Sequence, residues 1–113
     1  MITATEDGCF ETKAIHAGYD RRANADAVSV PIYASAAFDL ENAQRGDALA
    51  GGRLDGFEYS RVANPTVDAL ERRLAALEGG VGAIALSSGM AAVTYALMCV
   101  GEGGGRIIAP VNL

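Results

Sequence analysis

Tyr59 and Arg61 place a phenol and a planar guanidinium one residue apart, and Ser87, Ser88 and Gly89 form a small-residue turn further along the chain. Both features suit one kind of chemistry, the holding of a phosphate. A guanidinium presents several N–H donors in a fixed fork, and a phenol adds an O–H. The turn works through its backbone. It lies between a short apolar run, Ala83 to Leu86, and an apolar helical stretch beginning at Met90, so it opens a helix. The first N–H groups of a helix have no intrahelical partner, and the macrodipole adds partial positive charge at the same end. Gly89 lets an anion approach that end with no Cβ in the way. The candidate binding residues from chemistry and spacing are therefore Tyr59, Arg61, Ser87, Ser88 and Gly89.

Asn64 and Pro65 begin the helix between the two clusters, since Asn is a favoured N-cap and proline's missing N–H costs nothing at the first helical position. Val67, Leu70, Leu74 and Leu77 recur at i, i+3, i+7 and i+10, an apolar stripe expected to pack in a core. Asp68 and Arg72 are spaced for a surface ion pair, and Gly79 and Gly80 end the helix. The expected order is a helix over 65–78, a strand over 83–86, a helix over 89–100 and a strand over 106–109. That is a βαβ unit with parallel strands. Parallel sheets need several strands and cover on both faces, so the sheet begun here reads as unfinished. The helix over 89–100 is apolar on nearly every side and is expected to be covered all round.

Residues 1 to about 30 read as polar and irregular, with a short helix around Glu11 to Ala17 broken at Gly18. Asp20 to Ala27 has no periodicity that buries a face and is expected to be a solvated loop or mobile arm. Val28 to Phe38 is apolar and extended, with Pro31 removing a ladder donor. Leu40 to Leu49 reads as a helix with Asp39 as its N-cap, followed by a flexible connection at Gly51, Gly52 and Gly56.

Composition excludes other classes. The 113 residues are 50% hydrophobic and 20% charged, as in one globular domain. A net charge of -5 argues against nucleic acid or an acidic membrane as partner. No apolar run is long enough to span a bilayer, and the first residues do not read as a signal peptide, so a cytoplasmic location is the expectation. Cys9 and Cys99 are expected to be reduced thiols. One histidine, His16, is too few for most metal centres or triads, so no metal is expected and His16 receives no chemical role.

The motifs YSRVANPT (Tyr59 to Thr66), LAALEGG (Leu74 to Gly80) and SSGMAA (Ser87 to Ala92), with FETKAIHAGYD (Phe10 to Asp20) and PIY (Pro31 to Tyr33) before them, resemble the Cys/Met-metabolism family of pyridoxal-phosphate (PLP) enzymes. The resemblance runs from about Phe10 to the last residue. It implies an α/β architecture in two parts. Residues 1–58 would be an N-terminal arm and loop contacting a neighbouring subunit, and 59–113 the start of the large PLP-binding domain of the aspartate-aminotransferase-like, fold type I structure, incomplete as given. It further implies PLP as cofactor and a homo-oligomer, dimer or tetramer, whose sites are shared between subunits. Tyr59 and Arg61 would reach the phosphate of the neighbouring subunit's cofactor, while Ser88, Gly89 and Met90 would hold that of their own.

Within the family, the leader ending in HAGYD and the segment EGGVGA (Glu78 to Ala83) look most like O-acetylhomoserine sulfhydrylases. Those enzymes use PLP as an electron sink to expel acetate from O-acetylhomoserine, and sulfide adds to give homocysteine for methionine biosynthesis. Cystathionine γ-synthase, cystathionine γ-lyase and methionine γ-lyase are the alternatives, since SSGMAA is equally at home in the lyases. A non-catalytic docking module is an alternative of another class. The resemblance also places the Schiff-base lysine, the aspartate facing the pyridine nitrogen and the arginine for the substrate carboxylate outside these residues. The only lysine is Lys13, in the polar leader, so residues 1–113 are expected to hold no catalytic group and to be inactive alone.

Overall fold

A single close approach sets the first long-range contact. In the computed structural model, which describes residues 8–112, helix α1 (Phe10–His16) ends at Ala17, and Gly18 follows with φ +75°. A Cβ on Gly18 would lie 2.7 Å from both the Ala69 carbonyl oxygen and the Arg73 nitrogen of helix α3 (Pro65–Glu78). Glycine is thus required twice, by the left-handed backbone and by the space. Arg73 Nε donates to the Ala17 carbonyl at 2.9 Å and locks the contact. Ala17 and Ala69 are the buried hydrophobic residues among those described.

The core therefore lies on a different face of α3 from the one expected. Val67, Leu70 and Leu74 are 39%, 50% and 43% exposed, because α1 covers the side of α3 that carries Ala69 and Arg73 instead of the leucine stripe. The Asp68–Arg72 pair forms at 2.9 Å on the surface, where such pairs contribute little. Gly79 closes α3 with φ +65°, and Gly80 N–H bonds back to the Ala75 carbonyl.

The Asp20–Ala27 segment is more ordered than its composition suggests. It contains a 3₁₀ turn, Arg22–Asn24, and two tyrosines from outside it supply the missing partners. Tyr33 Oη donates to Asn24 Oδ1 at 2.6 Å, and Tyr19 Oη lies 2.9 and 3.1 Å from the carbonyls of Ala27 and Ser29. Desolvation of the Tyr19 phenol, reinforced by Tyr33, raises its pKa and keeps that donor proton in place.

From Pro31 the chain runs to an antiparallel bridge between Ala37 and Tyr59, flanked by Phe38 N–H to Glu58 O (3.0 Å) and Ser60 N–H to Ala36 O (2.9 Å). The helix in the intervening loop, α2 (Ala43–Ala50), starts later than Leu40, and its N-cap is Asn42 rather than Asp39. Asp39 Oδ1 accepts from Glu41 N–H at 2.8 Å, and Glu41 has φ +60°. This local turn takes the chain off the helical path and passes the cap to Asn42, whose Oδ1 accepts from Arg45 N–H at 2.8 Å.

The strands expected over 83–86 and 106–109 form no ladder among the described residues. Short parallel strands have no stability as an isolated pair. Helix α4 (Gly89–Val100) has no buried residue, with Tyr95 and Met98 55% and 64% exposed, so the cover its apolar faces call for is not supplied within the described residues.

Gly18→Ala is expected to destabilise the protein by about 2 kcal/mol or more, from left-handed strain plus overlap with α3. Gly52→Ala, at φ +63° with open space around it, is expected to carry the strain alone. Urea unfolding followed by circular dichroism would test this, and equal losses for the two variants would contradict the close-packing role of Gly18.

Candidate functional site

Asn64 is the polar residue that the described chain buries, at 8% exposure. Its Oδ1 caps α3 by accepting from Thr66 N–H at 2.9 Å. Its Nδ2 donates to the Tyr33 carbonyl at 2.9 Å and to Ser60 Oγ at 2.8 Å. Ser60 Oγ donates onward to the Ser35 carbonyl. Thr66 completes the cluster, because Oγ1 donates to the Pro31 carbonyl and accepts from Tyr33 N–H, both at 2.9 Å. One amide thereby ties the extended 31–35 segment, the turn carrying Tyr59 and Arg61, and the start of α3. No buried side-chain nitrogen or oxygen among the described residues is left without a partner.

That scaffold presents the first candidate pair. The Tyr59 carbonyl accepts from Val62 N–H and Ala63 N–H at 2.9 and 3.0 Å, which curls the chain into a tight turn. Within it, the Arg61 guanidinium carbon lies 5.4 Å from the Tyr59 ring centroid, a cation–π contact that holds both side chains together. Tyr59 is 43% exposed and Arg61 is exposed as well. Both side chains are thus open to solvent in this chain.

The second cluster is built as a helix terminus. Ser88 adopts an extended backbone as N-cap of α4, its Oγ accepts from Ala91 N–H at 3.1 Å, and its carbonyl accepts from Ala92 N–H at 3.1 Å. The N–H groups of Gly89 and Met90 are the ones left for an outside acceptor. A Cβ on Gly89 would meet nothing within 4 Å, so the approach to them is open. Backbone donors, a helix dipole and a glycine fit a phosphate group well.

Within this chain the two clusters are not joined. No hydrogen bond links them among the described residues, and neither of the two clefts around α3, of about 370 and 490 Å³, is lined by any of the five candidates. Both clefts are lined by residues 18–20 and by Asp68 and Arg72 of α3. Both thiols, Cys9 and Cys99, are free and exposed. The described residues contain no helix long and apolar enough to cross a membrane. Sequence reasoning gave Asn64 only its capping role and passed over Ser60 and Thr66. The signal available was a polar residue at each of the positions 60, 64 and 66 around one proline.

The chain has the fold of the beginning of a fold type I, PLP-dependent enzyme. A solved structure of an O-acetylhomoserine (thiol)-lyase from Campylobacter jejuni matches 81% of it with a TM-score of 0.76 and 41% identity, over 23% of that enzyme's chain. That structure carries a pyridoxyl-lysine-5'-monophosphate at its position 205. The chain belongs to the Cys/Met metabolism PLP-dependent enzyme family, whose sequence profile matches residues 11–113. Among its relatives, the O-acetyl-L-homoserine sulfhydrylase of Corynebacterium glutamicum is 44% identical over 92% of this chain and 24% of its own length. The L-methionine γ-lyase of Pseudomonas putida is 40% identical over 88% of this chain and 25% of its own. The chain thus spans about a quarter of the length of the curated relatives it matches.

Asn64→Ala is expected to cost about 2–4 kcal/mol, from the lost cap and a Tyr33 carbonyl left without its donor. Asn64→Asp keeps the capping acceptor but loses both donors, so it too is expected to be less stable than the parent in urea unfolding. Parent-like stability of Asn64→Asp would contradict the tying role of Nδ2.

Proposed function

We propose that this chain is the phosphate-holding N-terminal part of an O-acetylhomoserine sulfhydrylase, which makes homocysteine from O-acetylhomoserine and sulfide in methionine biosynthesis. The observation that carries the reading is the open pair of N–H groups at Gly89 and Met90 on the capped N-terminus of α4, in a chain of a PLP-dependent family. Similarity to the sulfhydrylase of Corynebacterium glutamicum and the lyase structure of Campylobacter jejuni supports the substrate assignment.

The residues present would divide the work as follows. Gly89 and Met90 N–H bind the cofactor phosphate, and Ser88 fixes their direction by capping the helix. Tyr59 and Arg61 add a phenol O–H and a guanidinium fork. By the family resemblance they are assigned to the phosphate bound by a neighbouring subunit, in a dimer or a tetramer built from two. PLP, when bound, supplies the electron sink that lets a γ-substituent leave the amino acid. Residues 1–113 are assigned binding and orientation alone, since Lys13, on α1, is their one lysine. A cytoplasmic location belongs to the same proposal.

A γ-lyase is the second reading. It is favoured by the similarity to the Pseudomonas putida enzyme and by the SSGMAA turn. Products separate the two. The protein expressed from its complete gene is expected to form homocysteine when given O-acetylhomoserine and sulfide. Release of a keto acid and ammonia from methionine, without homocysteine formation, would overturn the sulfhydrylase reading. Residues 1–113 alone are expected to give neither product.

A further inference from the structure

Between Val81 and Ser88 the chain has no ladder partner, yet this segment delivers the cradle at Gly89 and Met90. One side-chain hydrogen bond ties it to another element. Ala85 N–H donates to Glu71 Oε1 at 2.7 Å, across fourteen positions of sequence. Ala85 stands three residues before the Ser88 N-cap, and Glu71 stands about two turns along α3 from the Asn64 cap. The same helix is therefore fixed to the Tyr59–Arg61 turn at its start and to the cradle segment further along.

We propose that Glu71 is a positioning residue of the phosphate site, holding the 82–86 segment on α3 so that the α4 N-terminus is correctly placed before any anion binds. The proposal rests on the reading of Gly89 and Met90 as phosphate donors. A carboxylate suits the task because a charge-assisted hydrogen bond to a backbone N–H is shorter and stronger than a neutral one. It is also compatible with a sheet. Alternate residues of a strand present their backbone groups to opposite edges, so a carboxylate on Ala85 covers one edge and leaves Ile84 and Leu86 free to pair on the other. Phosphate donors must be held in advance, because a loose cradle has to be ordered at the moment of binding and affinity falls accordingly.

The test uses the protein expressed from its complete gene, stripped of cofactor, as parent, Glu71→Ala and Glu71→Gln. Two quantities are read: the dissociation constant for PLP, and amide exchange by mass spectrometry in residues 80–90, with residues 66–78 as internal control. Glu71→Ala is expected to weaken PLP binding about tenfold and to speed exchange in 80–90 while 66–78 stays as in the parent. Glu71→Gln keeps a carbonyl acceptor and is expected to restore most of both. Unchanged affinity and exchange in Glu71→Ala, or a Gln variant as impaired as the Ala variant, would overturn the proposal. Should Glu71→Ala lose protection throughout, Glu71→Gln decides: parent-like behaviour supports the proposal and impairment overturns it. Should the parent itself fail to bind PLP, the functional reading fails, and exchange in 80–90 still shows whether Glu71 holds the segment.

Discussion

The described structure depends on the burial of one amide. Asn64 has four hydrogen-bonding sites and little access to water, so each bond it forms also specifies where another segment must lie. Its oxygen starts α3. Its nitrogen fixes the 31–35 segment and the turn that displays Tyr59 and Arg61. A hydrophobic core of two alanines could not specify these positions, since apolar contact is nondirectional. Directional bonds replace bulk packing here, and a carbonyl or hydroxyl moved out of place would be left unsatisfied at a cost that the small core does not offset.

α3 turns that constraint into a relation between two sites. At its start the Asn64 network holds the Tyr–Arg pair, Ala69 receives Gly18, and Glu71 reaches the segment leading to α4. The two sets of candidate donors are consequently tied to one helix. The apolar faces of α3 and α4 stay exposed among the described residues, in a chain spanning about a quarter of its relatives' length.

Where structure was encoded by neighbours in sequence, it was legible. Asn64-Pro65 and Gly79-Gly80 delimit α3, and the Ser-Ser-Gly turn leads into α4 from Gly89, because caps and breakers act within a few residues. Features that depend on distant partners were not. Asp39 has the chemistry of a cap, but its side chain serves Glu41 and leaves the cap to Asn42. Asp20 to Ala27 lacked an apolar pattern, and its order comes from the hydroxyls of Tyr19 and Tyr33. The strands over 83–86 and 106–109 need ladder partners that the described residues do not provide. For the candidate site the same division holds: Tyr59, Arg61, Ser88 and Gly89 suggest donors by residue type and local turn, whereas the contacts of Ser60, Thr66 and Glu71 are made only in space.

The most direct test of the phosphate cradle is an amide NMR titration of the cofactor-free protein with PLP, and with pyridoxal, which lacks the phosphate. Saturable shifts of the Gly89 and Met90 amides are expected with PLP and none at those positions with pyridoxal. Equal responses to both ligands, or a PLP response that leaves Gly89 and Met90 unmoved, would contradict phosphate binding at the α4 N-terminus.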